Sequence, residues 1–203
     1  MKIICIGRNY LDHAKEMNAP VPKKPMYFLK SDICIHRESQ KFYYPEFTKN
    51  LHYECELVVK IIRLGKYIDK KFAHKYYSHI SLGLDLTARD IQKVCKENGH
   101  PWEIAKSFDK SAPISDTWIS LDKIDLKNLS FELFQNDTLK QSAKTKEMIF
   151  SIDEIISYVS QFMTLKIGDL IFTGTPSGVG PVEIGDVLVG KINGSKMFEF
   201  KIH

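Results

Sequence analysis

The chemistry of this chain starts with two glutamates. In Leu51-His52-Tyr53-Glu54-Cys55-Glu56-Leu57-Val58-Val59-Lys60 the β-branched and aromatic residues suit a pleated, half-buried strand. Side chains on a strand alternate between faces, so Glu54 and Glu56 point the same way and Cys55 points to the other side. Two carboxylates on one buried face repel each other and lose hydration, at a cost on the order of several kcal/mol unless a cation compensates. Two readings follow: an exposed edge strand with solvated glutamates, or two ligands of a divalent metal ion. The second needs a third ligand. His79 to Leu86 alternates like another buried strand and carries Asp85 at its C-terminal end. Thr87 is suited to cap a helix that runs to about Asn98 and stops at Gly99. Asp85 at that junction either helps cap the helix or serves a site, and Gln92, on the first turns, reaches the same region.

His13 and Glu16 are three residues apart on a short helix that Asp12 can cap and Asn18-Ala19-Pro20 ends. That spacing puts them on one side. They read either as an ordinary surface pair or as an acid–base pair on a mobile lid, with Glu16 tuning the imidazole. Lys106, in Pro101-Trp102-Glu103-Ile104-Ala105-Lys106-Ser107-Phe108-Asp109, sits among apolar and aromatic residues, unlike the other lysines. It either snorkels to water or pairs with a carboxylate. Met26 to Lys30 reads as a strand ending in a lysine. Gly174-Thr175-Pro176-Ser177-Gly178-Val179-Gly180-Pro181 is a rigid glycine-rich loop that matches neither Walker A nor GxGxxG, yet offers backbone N–H groups and Thr175 to an anion.

The elements that must position these groups are legible in outline. Lys2–Ile6 reads as a buried strand and Lys41–Tyr44 as a short one. Asp69–Tyr77 reads as a helix. Leu129–Phe134 turns at Asn136-Asp137 into a hairpin. Ser151-Ile152-Asp153-Glu154 is a capping box, opening a helix with Ile152, Ile155, Ile156, Val159 and Met163 on its core face. Leu170–Thr173 is a strand, and Asp186–Ile202 is a hairpin turning at Asn193-Gly194. Many strands, with helices that do not alternate regularly among them, indicate an α+β fold over a doubly wound one.

The bulk numbers exclude several classes. The 203 residues suffice for one domain with a substantial core, and 43% hydrophobic with 27% charged residues is ordinary for a globular chain. The net charge of +4 is spread along the chain without the clustering of a nucleic-acid arm, so no nucleic-acid partner is expected. Cys5, Cys34, Cys55 and Cys95 are widely separated and form no CxxC pair, which suits a reducing compartment. The apolar run near Met1 is too short for a signal-peptide core, and no stretch approaches the ~20 apolar residues of a membrane helix. The expected location is the cytoplasm, with no membrane partner.

Taken in order, six blocks resemble one family. They are Ile6-Gly7-Arg8-Asn9-Tyr10 with Asp12-His13 and Glu16-Met17; Phe28-Leu29-Lys30; Leu51 to Leu57; Asp85-Leu86-Thr87-Ala88-Arg89-Asp90-Ile91-Gln92; Pro101-Trp102 with Ala105 to Asp109; and Thr173 to Pro181. The chain strongly resembles the fumarylacetoacetate hydrolase family, in its small single-domain branch of acylpyruvate hydrolases and oxaloacetate decarboxylases. One departure is Ser31 after Lys30, where many relatives carry Pro, which bears on the local loop shape.

The resemblance implies a mixed β-sandwich roll with short peripheral helices, a single catalytic domain over residues 1–203 and a homodimer. It implies Mg²⁺ or Mn²⁺ on Glu54, Glu56 and Asp85, and oxygen-only ligands suit such hard cations. His13 and Glu16 become a catalytic dyad on a lid. Lys106 joins the catalytic groups, while Lys30, Gln92 and Thr175 contact a small 2-oxo acid substrate. His52 is a neighbour of the site with a lesser claim as a ligand. The implied activity is hydrolysis of the C–C bond of acylpyruvates such as acetylpyruvate or fumarylpyruvate to pyruvate and a carboxylic acid, with oxaloacetate decarboxylation on the same site. The alternative is an isomerase or tautomerase of oxaloacetate or unsaturated 2-oxo dicarboxylates. A non-catalytic 2-oxo-acid binding protein is a third reading, against which the His13–Glu16 pair argues.

Overall fold

The computed structural model describes residues 1–203. The strands in chain order are β1 (Ile3–Gly7), β2 (Met26–Lys30), β3 (Ile35–His36), β4 (Leu51–Tyr53), β5 (Cys55–Ile61), β6 (Tyr77–Leu84), β7 (Thr87–Ala88), β8 (Ala112–Pro113), β9 (Ile119–Ser120), β10 (Ser130–Gln135), β11 (Thr138–Lys144), β12 (Leu170–Phe172), β13 (Gly180–Pro181), β14 (Val187–Ile192) and β15 (Ser195–Lys201). Four short helices join them: α1 (Leu11–Glu16), α2 (Arg89–Asn98), α3 (Glu103–Lys106) and α4 (Ile152–Phe162).

A six-stranded mixed sheet runs β2-β1-β12-β5-β6-β9, with only β1 and β12 parallel. A four-stranded antiparallel sheet runs β11-β10-β14-β15. Two small sheets, β13-β4-β7 and β3-β8, complete the strand pairing. The α+β roll expected from the sequence is this arrangement.

Alternation along the six-stranded sheet separates two apolar layers. Ile4, Ile6, Leu57, Val59 and Ile171 face the main core, where they meet Phe131, Leu133, Leu188 and Phe198 of the second sheet and Ile155, Ile156 and Val159 of α4. Ile3, Cys5, Val58 and Phe172 face the other way, into a smaller cluster with Cys34, Ala112 and Ile114. Cys55, Leu57, Val59 and Ile61 share the main-core face, so Glu56 belongs to the opposite one, as period-2 geometry requires.

Local chemistry fixes several junctions. Asn136 (φ 49°) and Asp137 (φ 63°) both take the left-handed conformation of a two-residue hairpin turn, as do Asn193 (φ 47°) and Gly194 (φ 79°). Ser151 Oγ accepts from Glu154 N, and the Glu154 side chain accepts from Ser151 N, which completes the capping box of α4. α2 ends on Gly99 at φ 65°.

Four expectations change. The strand over 51–60 is interrupted at Glu54: β4 pairs with β7 and β13, whereas β5 belongs to the large sheet. Asp69–Tyr77 is a 3₁₀ turn over Lys70–Tyr76, capped by Asp69, because Lys, His and Tyr there leave no continuous apolar face for an α-helix to bury. Lys41–Tyr44 keeps one bridge, Phe42 to Ile202, with Phe42 filling the core. The cap positions also shift. Thr87 pairs with His52 and gives its hydroxyl to Asp85 O, so α2 starts from Ala88; Asp12 lies inside the first turn of α1, which starts after Tyr10.

Candidate active site

The break in the 51–61 segment builds the site. Glu54 lies between two sheets, and its carbonyl accepts from Asp85 N at 2.8 Å, just past the end of β6. Glu56 lies two residues on, opposite Gly83 in the β5–β6 register. The carboxylates of Glu54, Glu56 and Asp85 are all buried, and each offers an oxygen within 4.8 Å of the others. All three line one cleft with His13, Gln92, Lys106 and Thr175.

Basic side chains hold this negative charge in place. Lys106 Nζ donates to Glu54 Oε2 and Asp85 Oδ2, each at 2.8 Å. Arg89 Nη2 donates to Glu54 Oε1 at 2.5 Å, and its Nη1 to Gln92 Oε1 at 2.7 Å. The buried Lys106 thus takes its partners from the protein, so the structure replaces the snorkelling reading with an ion pair. Burial lowers the Lys106 pKa, but Asp85 and Glu54 outweigh that and raise it above its ordinary value. Burial likewise opposes ionisation of Glu54, and Lys106 and Arg89 outweigh it, holding the carboxyl well below the usual range. Glu56 lacks such a partner. Burial, then the charges of Asp85 and Glu54, push its carboxyl well up, against the hydrogen bond that Gly174 N donates to its Oε2 at 2.6 Å.

Lys30 and Glu16 stand one step behind the cleft wall. Lys30 Nζ donates to Leu86 O (3.2 Å) and Ser111 O (2.9 Å), and lies 2.8 Å from Asp85 Oδ1. That last contact pairs charges but lacks hydrogen-bond alignment, so Asp85 Oδ1 is a buried acceptor with no donor. Three buried carboxylates with oxygens within 4.8 Å of one another, Glu56 among them with no basic partner, are a donor set that fits a hard divalent cation. His13 is buried, with Nδ1 3.1 Å from Glu16 Oε2. Glu16 Oε1 accepts from Gly178 N at 3.0 Å, so the glycine-rich loop pins the carboxylate that orients the imidazole. His13–Glu16 is therefore not the solvated surface pair of the blander reading. His52 is absent from the cluster: its Nε2 bonds Asn50 Oδ1 at 2.8 Å, and burial, then the charge of Arg89, hold the ring down at about 4.

The sequence reading missed several positioning residues. Gln141 is buried; its Oε1 accepts from Cys55 N (2.9 Å), while its Nε2 donates to Thr175 Oγ1 (2.8 Å) and Pro176 O (2.9 Å). It joins the segment between the two glutamates to the glycine-rich loop. The available signal was a polar residue on the inward phase of β11, two before buried Ala143. Asn9, fully buried, bonds Thr173 O, Phe150 O and Phe150 N. Gly174 passes so close that a Cβ would sit 2.6 Å from Asn9 Cβ, and its φ of 100° favours glycine in any case. Arg89, three residues before Gln92 on α2, was signalled by that spacing alone.

Comparisons with known proteins agree with this geometry. Residues 2–202 match the family model described as fumarylacetoacetate (FAA) hydrolase C-terminal. The chain is 44% identical over 201 residues to the Bos taurus protein named oxaloacetate tautomerase FAHD1, mitochondrial, covering 98% of this chain and 90% of that one. It is 41% identical over 195 residues to the Dictyostelium discoideum oxaloacetate decarboxylase, mitochondrial, covering 95% and 89%. Among solved structures, fumarylpyruvate hydrolase from Pseudomonas aeruginosa in complex with Mn²⁺ and pyruvate superposes with a TM-score of 0.93 at 36% identity, covering 100% of this chain and 89% of that one. The chain belongs to the fumarylacetoacetate hydrolase C-terminal family, an enzyme family.

Proposed function

We propose that this chain is a divalent-metal-dependent enzyme of small 2-oxo acids, and that its first activity is keto–enol interconversion of oxaloacetate-type diacids. The observation that carries this is one cleft lined by three buried carboxylates and a carboxylate-oriented histidine. Glu54, Glu56 and Asp85 would hold Mg²⁺ or Mn²⁺. Such an ion, when bound, supplies Lewis-acid polarisation of a 2-oxo carboxylate.

The remaining roles belong to side chains. Glu16 fixes the His13 ring through Nδ1, which leaves Nε2 for proton transfer. His13 would take a proton from the carbon next to the 2-oxo group, and the C2 oxygen would receive one, so that no fragment leaves. Lys106 supplies fixed positive charge beside the ligands, and Gln92 a fixed dipole. Gln141 donates to Thr175 Oγ1, which directs the threonine's own proton to another acceptor, the substrate in this reading. Lys30 places its positive charge behind Asp85, 2.8 Å from Oδ1.

The C–C hydrolase placed first from sequence is the second reading, and the likeness to the P. aeruginosa fumarylpyruvate hydrolase favours it. There, His13 would activate water to attack the distal carbonyl. The two stand about level; relatives of higher identity tip the order towards tautomerisation. The homodimer and cytoplasmic residence also remain proposals, checked by light scattering and by fractionation of cells, since the Bos taurus relative is named mitochondrial.

The test is a substrate panel with Mg²⁺ or Mn²⁺. Loss of the oxaloacetate enol absorbance without pyruvate release supports tautomerisation. Pyruvate from acetylpyruvate or fumarylpyruvate supports hydrolysis. No turnover of any 2-oxo acid sinks both.

A further inference from the structure

The mouth of the cleft carries positive charge that the floor does not need. Glu54 and Asp85 already have Lys106, Arg89 and Lys30. Arg8 and Lys96 line the same cleft, and neither has a carboxylate within ion-pair distance. Lys96 is an exposed residue of α2 whose Nζ rests 5.4 Å from the Trp102 ring centroid. Partial burial of that ammonium, then the charges of Arg89 and Arg8, lower its pKa below the ordinary value. Like charges gathered at one opening, without a protein counter-ion, call for an anion.

The backbone holds one of them there by force. Arg8 has φ 59°. A non-glycine residue in that left-handed region is strained, and such strain persists only where neighbours impose it. Here the neighbour is Asn9, itself fully buried, whose three bonds to Phe150 and Thr173 fix the turn after β1. Asn9 turns inward, and Arg8 is left lining the cleft.

We propose that Arg8 and Lys96 form a subsite for the distal carboxylate of the substrate, which makes this enzyme selective for 2-oxo dicarboxylates over 2-oxo acids with a neutral tail. This rests on the proposed 2-oxo-acid chemistry of the same cleft. The carboxylate–oxo end would occupy the floor, and the second carboxylate would meet the guanidinium and ammonium at the mouth. Arg8 offers a planar fork to that carboxylate, and Lys96 a point charge.

Two stable probes isolate the subsite: 2-oxoglutarate and 2-oxopentanoate share a carbon chain and differ in the terminal carboxylate. Calorimetric titration into the Mg²⁺-loaded protein should show 2-oxoglutarate binding at least tenfold tighter. The double variant Arg8→Gln with Lys96→Gln should lose that preference, keep its 2-oxopentanoate affinity within twofold and keep its melting temperature. Arg8→Lys in the Lys96 wild-type background should retain most of it. Equal binding of the two acids by the wild-type protein overturns the subsite, and so does an equal loss of both in the double variant. Turnover of oxaloacetate without the preference refutes the subsite alone. The preference without turnover of any 2-oxo acid refutes the proposed reaction and leaves the subsite standing.

Discussion

The four-stranded sheet and the cleft wall obey different rules. In β10 and β14 burial alternates as the pleat demands: Phe131 and Leu133 are buried with Glu132 at the half-exposed phase, and Leu188 and Ile192 are buried with Val189 and Lys191 between them. The large apolar side chains Phe131, Leu133, Leu188 and Ile192 lie where their polarity puts them. At the cleft the rule is inverted. Glu54, Glu56, Asp85, Lys30 and Lys106 are all buried, and the strand that carries the glutamates breaks at Glu54. Apolar packing stabilises the first region, whereas the second persists because each buried charge has a partner or, in the proposed function, an ion. Local rules fail together where chemistry is done.

The largest expected effect separates the two regions. Asp85→Ala removes the counter-ion of two buried lysines as well as a proposed metal ligand. It should abolish metal-dependent turnover and cost about 3–5 kcal/mol in denaturant melts. Phe131→Ala, in the core beneath the second sheet, should cost a similar ~3–5 kcal/mol but leave turnover intact below its melting temperature. If Phe131→Ala lost activity while folded, the division between packing and site would be wrong.

A smaller effect concerns pH. His36 is buried against Phe42 and Phe200, and burial, then the charge of Lys110, lower its pKa to about 4. Its folded value lies below its unfolded one, so between the two the unfolded chain binds more protons. Stability should therefore fall as pH drops from about 6.5 towards 4, by at most ~1.4 kcal/mol per pH unit from this group. His36→Phe should flatten that part of the acid limb in melts across the window. An unchanged slope would remove His36 as its cause. The smallest effect is at the α4 cap: Ser151→Ala should cost about 1 kcal/mol and change no kinetic constant.

The regular region was readable because its signals are local. Asn136-Asp137, Asn193-Gly194, the Ser151 capping box and Gly99 each act within a few residues, and each lies where the sequence reading put it. The irregular parts depend on distant partners. The break at Glu54 arises because its neighbours pair with three different strands, which no window of residues displays. Gln141 serves Cys55 and Thr175 from 86 and 34 residues away. Thr87 has the composition of a cap, but a bridge to His52 and a bond to Asp85 O claim it instead. The carboxylates themselves were visible as anomalies, since charge on a strand's apolar phase is costly wherever it occurs; their basic partner Arg89 was not, because an arginine on a helix surface looks ordinary.

In the proposed function Glu54, Glu56 and Asp85 hold one divalent ion. Crystals grown with Mn²⁺ and measured near the manganese absorption edge test it directly. One strong anomalous peak is expected within coordination distance of an oxygen of each of the three carboxylates, between the ~2.0 Å of Mg²⁺ and the ~2.6 Å of Ca²⁺. No peak there, at Mn²⁺ concentrations that support turnover, would contradict it.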